Sequence, residues 1–151
     1  PVHGRAPGQP VRDVDADAVA LDGLWRESDA ISLHCPLTPD NRQMVNAVTL
    51  AQCKPGVLLV NTARGGLIDE AALLAAVQSG HVAAAGLDSF AVEPMTAPHP
   101  FHSQANIVLS PHIGGVTQDA YINMGVGAAR NLLEVLNASA TRLPTDAAIT
   151  A

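Results

Sequence analysis

Four short runs, "AISLH" (30–34), "VLLVN" (57–61), "VAAAGL" (82–87) and "NIVLS" (106–110), constrain this chain more than any other feature. Each is apolar or β-branched without alternation, the pattern of a strand buried on both faces, and such strands belong to parallel sheets. Helical segments separate the first three: "LDGLWRES" leads into the first run, "NAVTLAQC" precedes the second and Glu70 to Ser79 the third. The last of these has both ends written in the sequence. Asp69 is its N-cap, Glu70 lies in the first turn where the helix dipole favours an anion, and Gly80 follows the end. Strand and helix alternating at this spacing predict a parallel α/β sheet whose right-handed crossovers bring every carboxyl end to one edge, where such sheets bind ligands.

After the fourth run comes "PHIGG" and then a long helix from about Thr117 to Leu136. Its Ile122, Val126, Ala129, Leu133 and Leu136 recur at steps of four and three, so one stripe is expected to face a core. Gly125 and Gly127 each cost roughly 1 kcal/mol against alanine in a helix interior, which predicts a close packing partner or a kink there. The segment 138–151 has no periodicity and reads as a loose tail. The 151 residues suffice for one domain with a core.

Charge and cysteine usage narrow the function classes. The formal net charge is −6, with one lysine, Lys54, and scattered arginines, so no basic stripe exists to grip a nucleic acid. No segment has the roughly 18 unbroken apolar residues of a membrane span, and the opening "PVHGRAPGQP" lacks a signal-peptide core. The chain therefore reads as soluble and cytoplasmic, and Cys35 and Cys53 as free thiols. His99 and His102 in "HPFH" lack an acidic or thiol companion, and no metal site is expected.

If the strands end at one edge, the residues after them carry the chemistry. These are Cys35-Pro36, then Thr62-Ala63-Arg64-Gly65-Gly66, then Asp88 with Glu93-Pro94 close behind, then Pro111-His112-Ile113-Gly114-Gly115. An arginine offers a planar fork of donors matching a carboxylate, and a histidine exchanges a proton near neutral pH. A carboxylate beside that histidine would hold its tautomer. Gly65-Gly66 removes side chains that would crowd whatever approaches Arg64, and an anion is the expected visitor.

"LHCPLTPDNRQMVN", "AQCKPGVLLVNTARGGLIDEAALLAAVQSG", "GLDSFAVEP" and "NIVLSPHIGG" occur in order and at matching separations. Together they resemble the nicotinamide-binding domain of the D-isomer-specific 2-hydroxyacid dehydrogenases, from about Val2 to Asn137. The resemblance implies a parallel Rossmann-like α/β sheet with flanking helices. It implies Arg64 as the substrate-binding arginine, His112 as the proton donor and acceptor on the substrate oxygen, and Glu93 as the carboxylate paired with that histidine. Cofactor contacts are implied for Cys35 and Pro36 on the adenosine side, for Thr62, Ala63 and Asp88 near the nicotinamide, and for Arg64, His112, Ile113, Gly114 and Gly115. Glu93 also separates the chain from the family's formate-oxidising branch, which carries glutamine there.

Three departures stand out. Asn41 takes the place of a second threonine in a cofactor contact, and Ser89 that of a commoner valine, a change expected to be tolerated. The chain has no G-x-G-x-x-G, so the first βα unit with its glycine-rich loop is missing from the expected fold. Residues 1–137 thus read as a partial dinucleotide-binding domain, with 117–137 its long helix, and the chain as a fragment expected neither to fold stably nor to turn over substrate alone. Near the start, where the family carries an acid for the ribose 2′-hydroxyl, stand Gly4 and Arg5; this favours NADP(H) over NAD(H). The intact protein is expected to be a homodimeric oxidoreductase acting on a small 2-oxo or 2-hydroxy acid. The competing readings are a non-catalytic nicotinamide-binding regulatory module and an inactive remnant of the same fold.

Overall fold

A computed structural model of the chain describes residues 16–140. Gly4 and Arg5 lie outside the described residues, as does 141–151 of the expected tail. The chain divides into two compact units, residues 1–114 and 115–151.

In the first unit α1 (Leu21–Glu27) turns its Trp25 into the core and leads into β1 (Ala30–Leu33). The short α2 (Ala47–Leu50) starts at Asn46, whose side chain accepts from the Val48 and Thr49 amides while the Thr49 hydroxyl accepts from the Asn46 amide. This capping box satisfies backbone donors that a one-turn helix would otherwise leave to water. Next come β2 (Val57–Asn61), α3 (Glu70–Gln78), β3 (Val82–Leu87) and β4 (Ile107–Leu109). As expected, Asp69 caps α3, its Oδ1 accepting from Ala71 and Ala72 at 3.1 Å each, and Gly80 ends the segment at φ +77°.

The strands form one parallel sheet in the order β1-β2-β3-β4. Leu33 pairs with Asn61, Asn61 with Leu87, and Leu87 with Leu109, so the four carboxyl ends finish in one row. The shared edge read from the sequence is therefore present.

Burial on both faces is not. Ile31, Leu33, Val57, Leu59, Val82, Ala85, Leu87 and Ile107 point into the core, whereas Leu58, Val60 and Val108 on the other face are exposed by 45%, 38% and 72%. The topology explains the difference. Each crossover moves one strand in the same direction, and crossovers of one hand moving one way all land on one face. Covering both faces takes a sheet wound in both directions from a switch point, and the described strands wind in one.

The second unit contains α4 (Gln118–Ala140). It begins within a residue of the expected start, but it continues through residues 138–140, which had read as tail. Its stripe was expected to face a core; among the described residues Ile122, Val126, Leu133 and Leu136 are all exposed. Apart from their chain neighbours and the nearby backbone of their own helix, Gly125 and Gly127 have no heavy atom of the described residues within 4 Å of where a Cβ would stand, so neither marks a close packing contact there. Among the described residues no helix is long and apolar enough to cross a membrane.

Candidate active site

The row of strand ends becomes a site through side chains that bind backbone. Asn61, fully buried at the end of β2, accepts from the Ala63 amide and donates to the Arg64 carbonyl, both at 3.0 Å. That folds Asn61–Arg64 into a fixed turn and puts Arg64 on the rim, exposed, its Nη1 donating to the Ala63 carbonyl at 2.7 Å. A 3₁₀ turn, Gly65–Leu67, follows. The reason for its glycines differs from the one expected. A Cβ on Gly65 would stand 1.9 Å from the Phe90 carbonyl carbon and 2.5 Å from the Ala91 nitrogen, and one on Gly66 would meet the Leu37 side chain at 2.8 Å. What approaches Gly65 is the protein's own backbone, in the segment that carries Glu93.

At the end of β3 Asp88 is buried. Its Oδ1 accepts from the Ser110 hydroxyl at 2.5 Å and the Ile113 amide at 2.9 Å, and its Oδ2 from the Gly114 amide at 2.8 Å. Burial alone would raise the Asp88 carboxyl; those three hydrogen bonds and the charge of His112 outweigh it and hold it below the ordinary carboxylate value. The same bonds curl the chain after β4 around Asp88. Gly114 must be glycine there, because a Cβ would lie 2.9 Å from Asp88 Oδ2. His112 sits inside the curl at φ +56°, a left-handed conformation that a non-glycine residue keeps only when its surroundings hold it.

His112 Nδ1 lies 2.7 Å from Glu93 Oε2. The other Glu93 oxygen accepts from the Phe90 amide, also at 2.7 Å. Burial would raise the Glu93 carboxyl too, but the bonds from His112 and Phe90 and the charges of His112 and Arg64 bring it below its ordinary value. A carboxylate on Nδ1 fixes the tautomer with the proton on that nitrogen and leaves Nε2 to exchange one with a ligand. Beside the pair opens a cleft of about 690 Å³, walled by Phe90, Met95, Leu109 and Pro111. The structure thus brings Glu93 and His112 into contact and Arg64 close enough for its charge to act on Glu93.

The remaining candidates of the first unit lie along the same edge with less to do. Cys35 is half-buried, and Pro36 and Thr62 are exposed. Asn41 uses its amide on its own loop, donating to the Pro36 carbonyl at 2.8 Å and accepting from the Thr38 amide at 2.7 Å. Ala63 and Ile113 contribute backbone amides to the turns around Asn61 and Asp88, and Gly115 begins the second unit. Two residues that sequence reasoning missed are Asn61, which acts on backbone, and Ser110, which acts on the Asp88 carboxylate. Asn61 alone left a signal, as the amide closing an apolar strand. His99 and His102 cap a 3₁₀ turn, Pro100–Ser103, and no group of three or more metal-ligating side chains occurs among the described residues.

Residues 3–114 match the family model described as D-isomer specific 2-hydroxyacid dehydrogenase, NAD binding domain. The chain is 46% identical over 132 residues to a hydroxypyruvate reductase of Thermotoga maritima, an alignment covering 86% of this chain and 43% of that protein. Among solved structures, the TT0316 protein of Thermus thermophilus superposes with a TM-score of 0.79 at 38% identity, over 90% of this chain and 42% of the other. A D-isomer specific 2-hydroxyacid dehydrogenase of Xanthobacter autotrophicus, solved with NADPH and MES, gives a TM-score of 0.60 at 42% identity, over 62% of this chain and 30% of the other. The chain spans less than half the length of each of these relatives.

Proposed function

Since the chain belongs to the D-isomer specific 2-hydroxyacid dehydrogenase family, we propose that the intact protein transfers hydride between a nicotinamide dinucleotide and a small 2-oxo or 2-hydroxy acid. The observation that carries this reading is the 2.7 Å contact of His112 Nδ1 with Glu93 Oε2 at the carboxyl edge of a parallel sheet, within the field of Arg64.

The rim fits the nicotinamide end of such a cofactor. Thr62 and Ala63 offer small side chains at the end of β2, and Asp88 keeps a negative charge that complements an oxidised nicotinamide ring. Thr62, Ala63 and Asp88, with the turn His112–Gly115, would hold that end, and Cys35 and Pro36 the adenosine side; Asn41 would serve there only by giving up its loop contacts. When bound, the cofactor supplies hydride to the acid's C2 or takes it away.

The chain's own groups do the rest. Arg64 binds the carboxylate of the acid with its planar fork and polarises the carbonyl, drawing electron density from C2 onto the oxygen. His112 gives the Nε2 proton to the carbonyl oxygen in reduction and takes it back in oxidation. Glu93 keeps Nδ1 protonated and offsets the imidazolium charge while Nε2 carries its proton.

NADP(H) is the cofactor we favour, on Arg5 and the absence of an acid beside it. We place the protein in the cytoplasm on its free thiols, Cys35 and Cys53, and expect a homodimer from the resemblance. The test is the loss of reduced-nicotinamide absorbance with glyoxylate or hydroxypyruvate in the intact protein. His112→Ala should abolish turnover while cofactor affinity stays within a few-fold, and near-normal turnover in that variant rejects the assignment.

A further inference from the structure

Two neighbouring amides in the segment between β3 and the 3₁₀ turn at Pro100 are taken by two different carboxylates. The Phe90 N–H goes to Glu93 Oε1 at 2.7 Å, and the Ala91 N–H goes to Glu70 Oε1 at 2.8 Å. Glu70 is the first residue of α3, locked by the Asp69 cap, so its carboxylate reaches the segment from a rigid element. Its other oxygen lies 3.4 Å from His99 Nε2. His99 is itself fixed: Nδ1 accepts from the Phe101 amide at 3.3 Å, which puts the neutral ring's proton on Nε2, toward Glu70. Its ring also stands 4.6 Å from that of Phe101, which is buried. Glu70 thus grips the segment at both ends, Ala91 and His99, with Glu93 between them.

From this arrangement we propose that Glu70 is a positioning residue for the Glu93–His112 pair. It fixes the Phe90–Ala91 backbone, Phe90 orients the Glu93 carboxylate, and Glu93 sets the imidazole. Gly65 closes the frame from the other side, since the Phe90–Ala91 backbone rests where its side chain would be. The inference rests on the functional reading above only for its kinetic consequence; the geometry can be read without turnover.

The test uses Glu70→Ala, Glu70→Asp and Glu70→Gln in the intact protein, with two readouts. The first is kcat and KM for the 2-oxo acid. The second is NMR of the His112 ring nitrogens, which reports the share of the Nδ1–H tautomer whether or not the protein turns over. Glu70→Ala should lower kcat about 10- to 100-fold, the scale of a misplaced catalytic group, leave KM within about two-fold, and mix the tautomers. Glu70→Gln keeps an acceptor for the Ala91 amide and should restore most of both. Should Glu70→Ala fail to fold, Glu70→Asp decides: it keeps the negative charge in the first turn of α3 but falls short of Ala91, so it should show the same loss. Wild-type tautomer and kcat in Glu70→Asp or Glu70→Ala overturn the proposal. A wild-type protein without turnover brings down the functional reading alone, and the ring nitrogens then decide the positioning role.

Discussion

Replacing Gly65 by alanine tests the frame of the site with a single methyl group. The added Cβ would stand 1.9 Å from the Phe90 carbonyl carbon, 2.1 Å from its oxygen and 2.5 Å from the Ala91 nitrogen. Carbon atoms settle at roughly 3.5–4.0 Å, so the Phe90–Ala91 backbone must withdraw by about 1.6 Å or more. That stretches the Phe90 bond to Glu93 and the Ala91 bond to Glu70 past useful length. A hydrogen bond to a charged group is worth about 1.5–3 kcal/mol. Water reaches both carboxylates in part, so the lower end applies, and the two together amount to about 3 kcal/mol. The catalytic effect should be of similar size, because a misplacement on the order of 1 Å costs about 100-fold in rate, or about 2.7 kcal/mol. Gly66→Ala is the control: its Cβ meets only the end of the Leu37 side chain, which can turn away. Urea unfolding and steady-state kinetics on both variants in the intact protein supply the measurement. Equal midpoints and equal kcat in Gly65→Ala and wild type would refute the reasoning.

Ser89 is 3% exposed, and its hydroxyl has no hydrogen-bond partner among the described residues; Ser89→Ala should therefore stabilise by about 1 kcal/mol, the low end of the cost of a buried unsatisfied group, and an unchanged or lower urea midpoint contradicts this. The acid limb of stability should belong to Asp88 and Glu93. Both are held below their ordinary values of 3.8 for Asp88 and 4.5 for Glu93, so each contribution is present above that group's ordinary value and is lost as pH falls through its lower folded-state value. Asp88→Asn should lower stability at pH 7 and flatten that limb, and urea midpoints measured from neutral to acid pH that fall as steeply as in wild type count against it.

The fold was legible wherever period and caps agreed. The runs at 30–34, 57–61 and 82–87 are strands within a residue of the expected bounds, and α3 begins at its cap, because an aspartate before an alanine-rich segment has few other uses. Coverage was not legible. Leu58 and Val60 are as apolar as a covered face requires, but whether a helix lies over them depends on the direction in which the sheet is wound, a property of the whole topology. The α4 stripe failed in the same way: periodicity identifies the face of a helix, not what meets it. Within the site, the residue types at the strand ends indicated Arg64, Glu93 and His112, whereas Glu70 read as a favourable charge at a helix start. Its second use, gripping Ala91, depends on a contact across 21 positions of sequence.

The carboxylates on this rim raise an electrostatic difficulty, since Asp88 and Glu93 would repel the anionic acid proposed as substrate. Their hydrogen bonds resolve it. Asp88 takes the Ser110 hydroxyl and the Ile113 and Gly114 amides, and Glu93 takes the Phe90 amide and the His112 ring. Donors pointed at each carboxylate offset much of its field toward other groups, as solvent dipoles would. Arg64 is placed differently: it gives one of its donors to the Ala63 carbonyl and remains exposed. To an approaching anion the rim therefore presents a guanidinium whose charge is less well compensated than that of its acidic neighbours. The backbone amides that fix the acids' geometry also leave Arg64 to set the sign of the field at the mouth of the site.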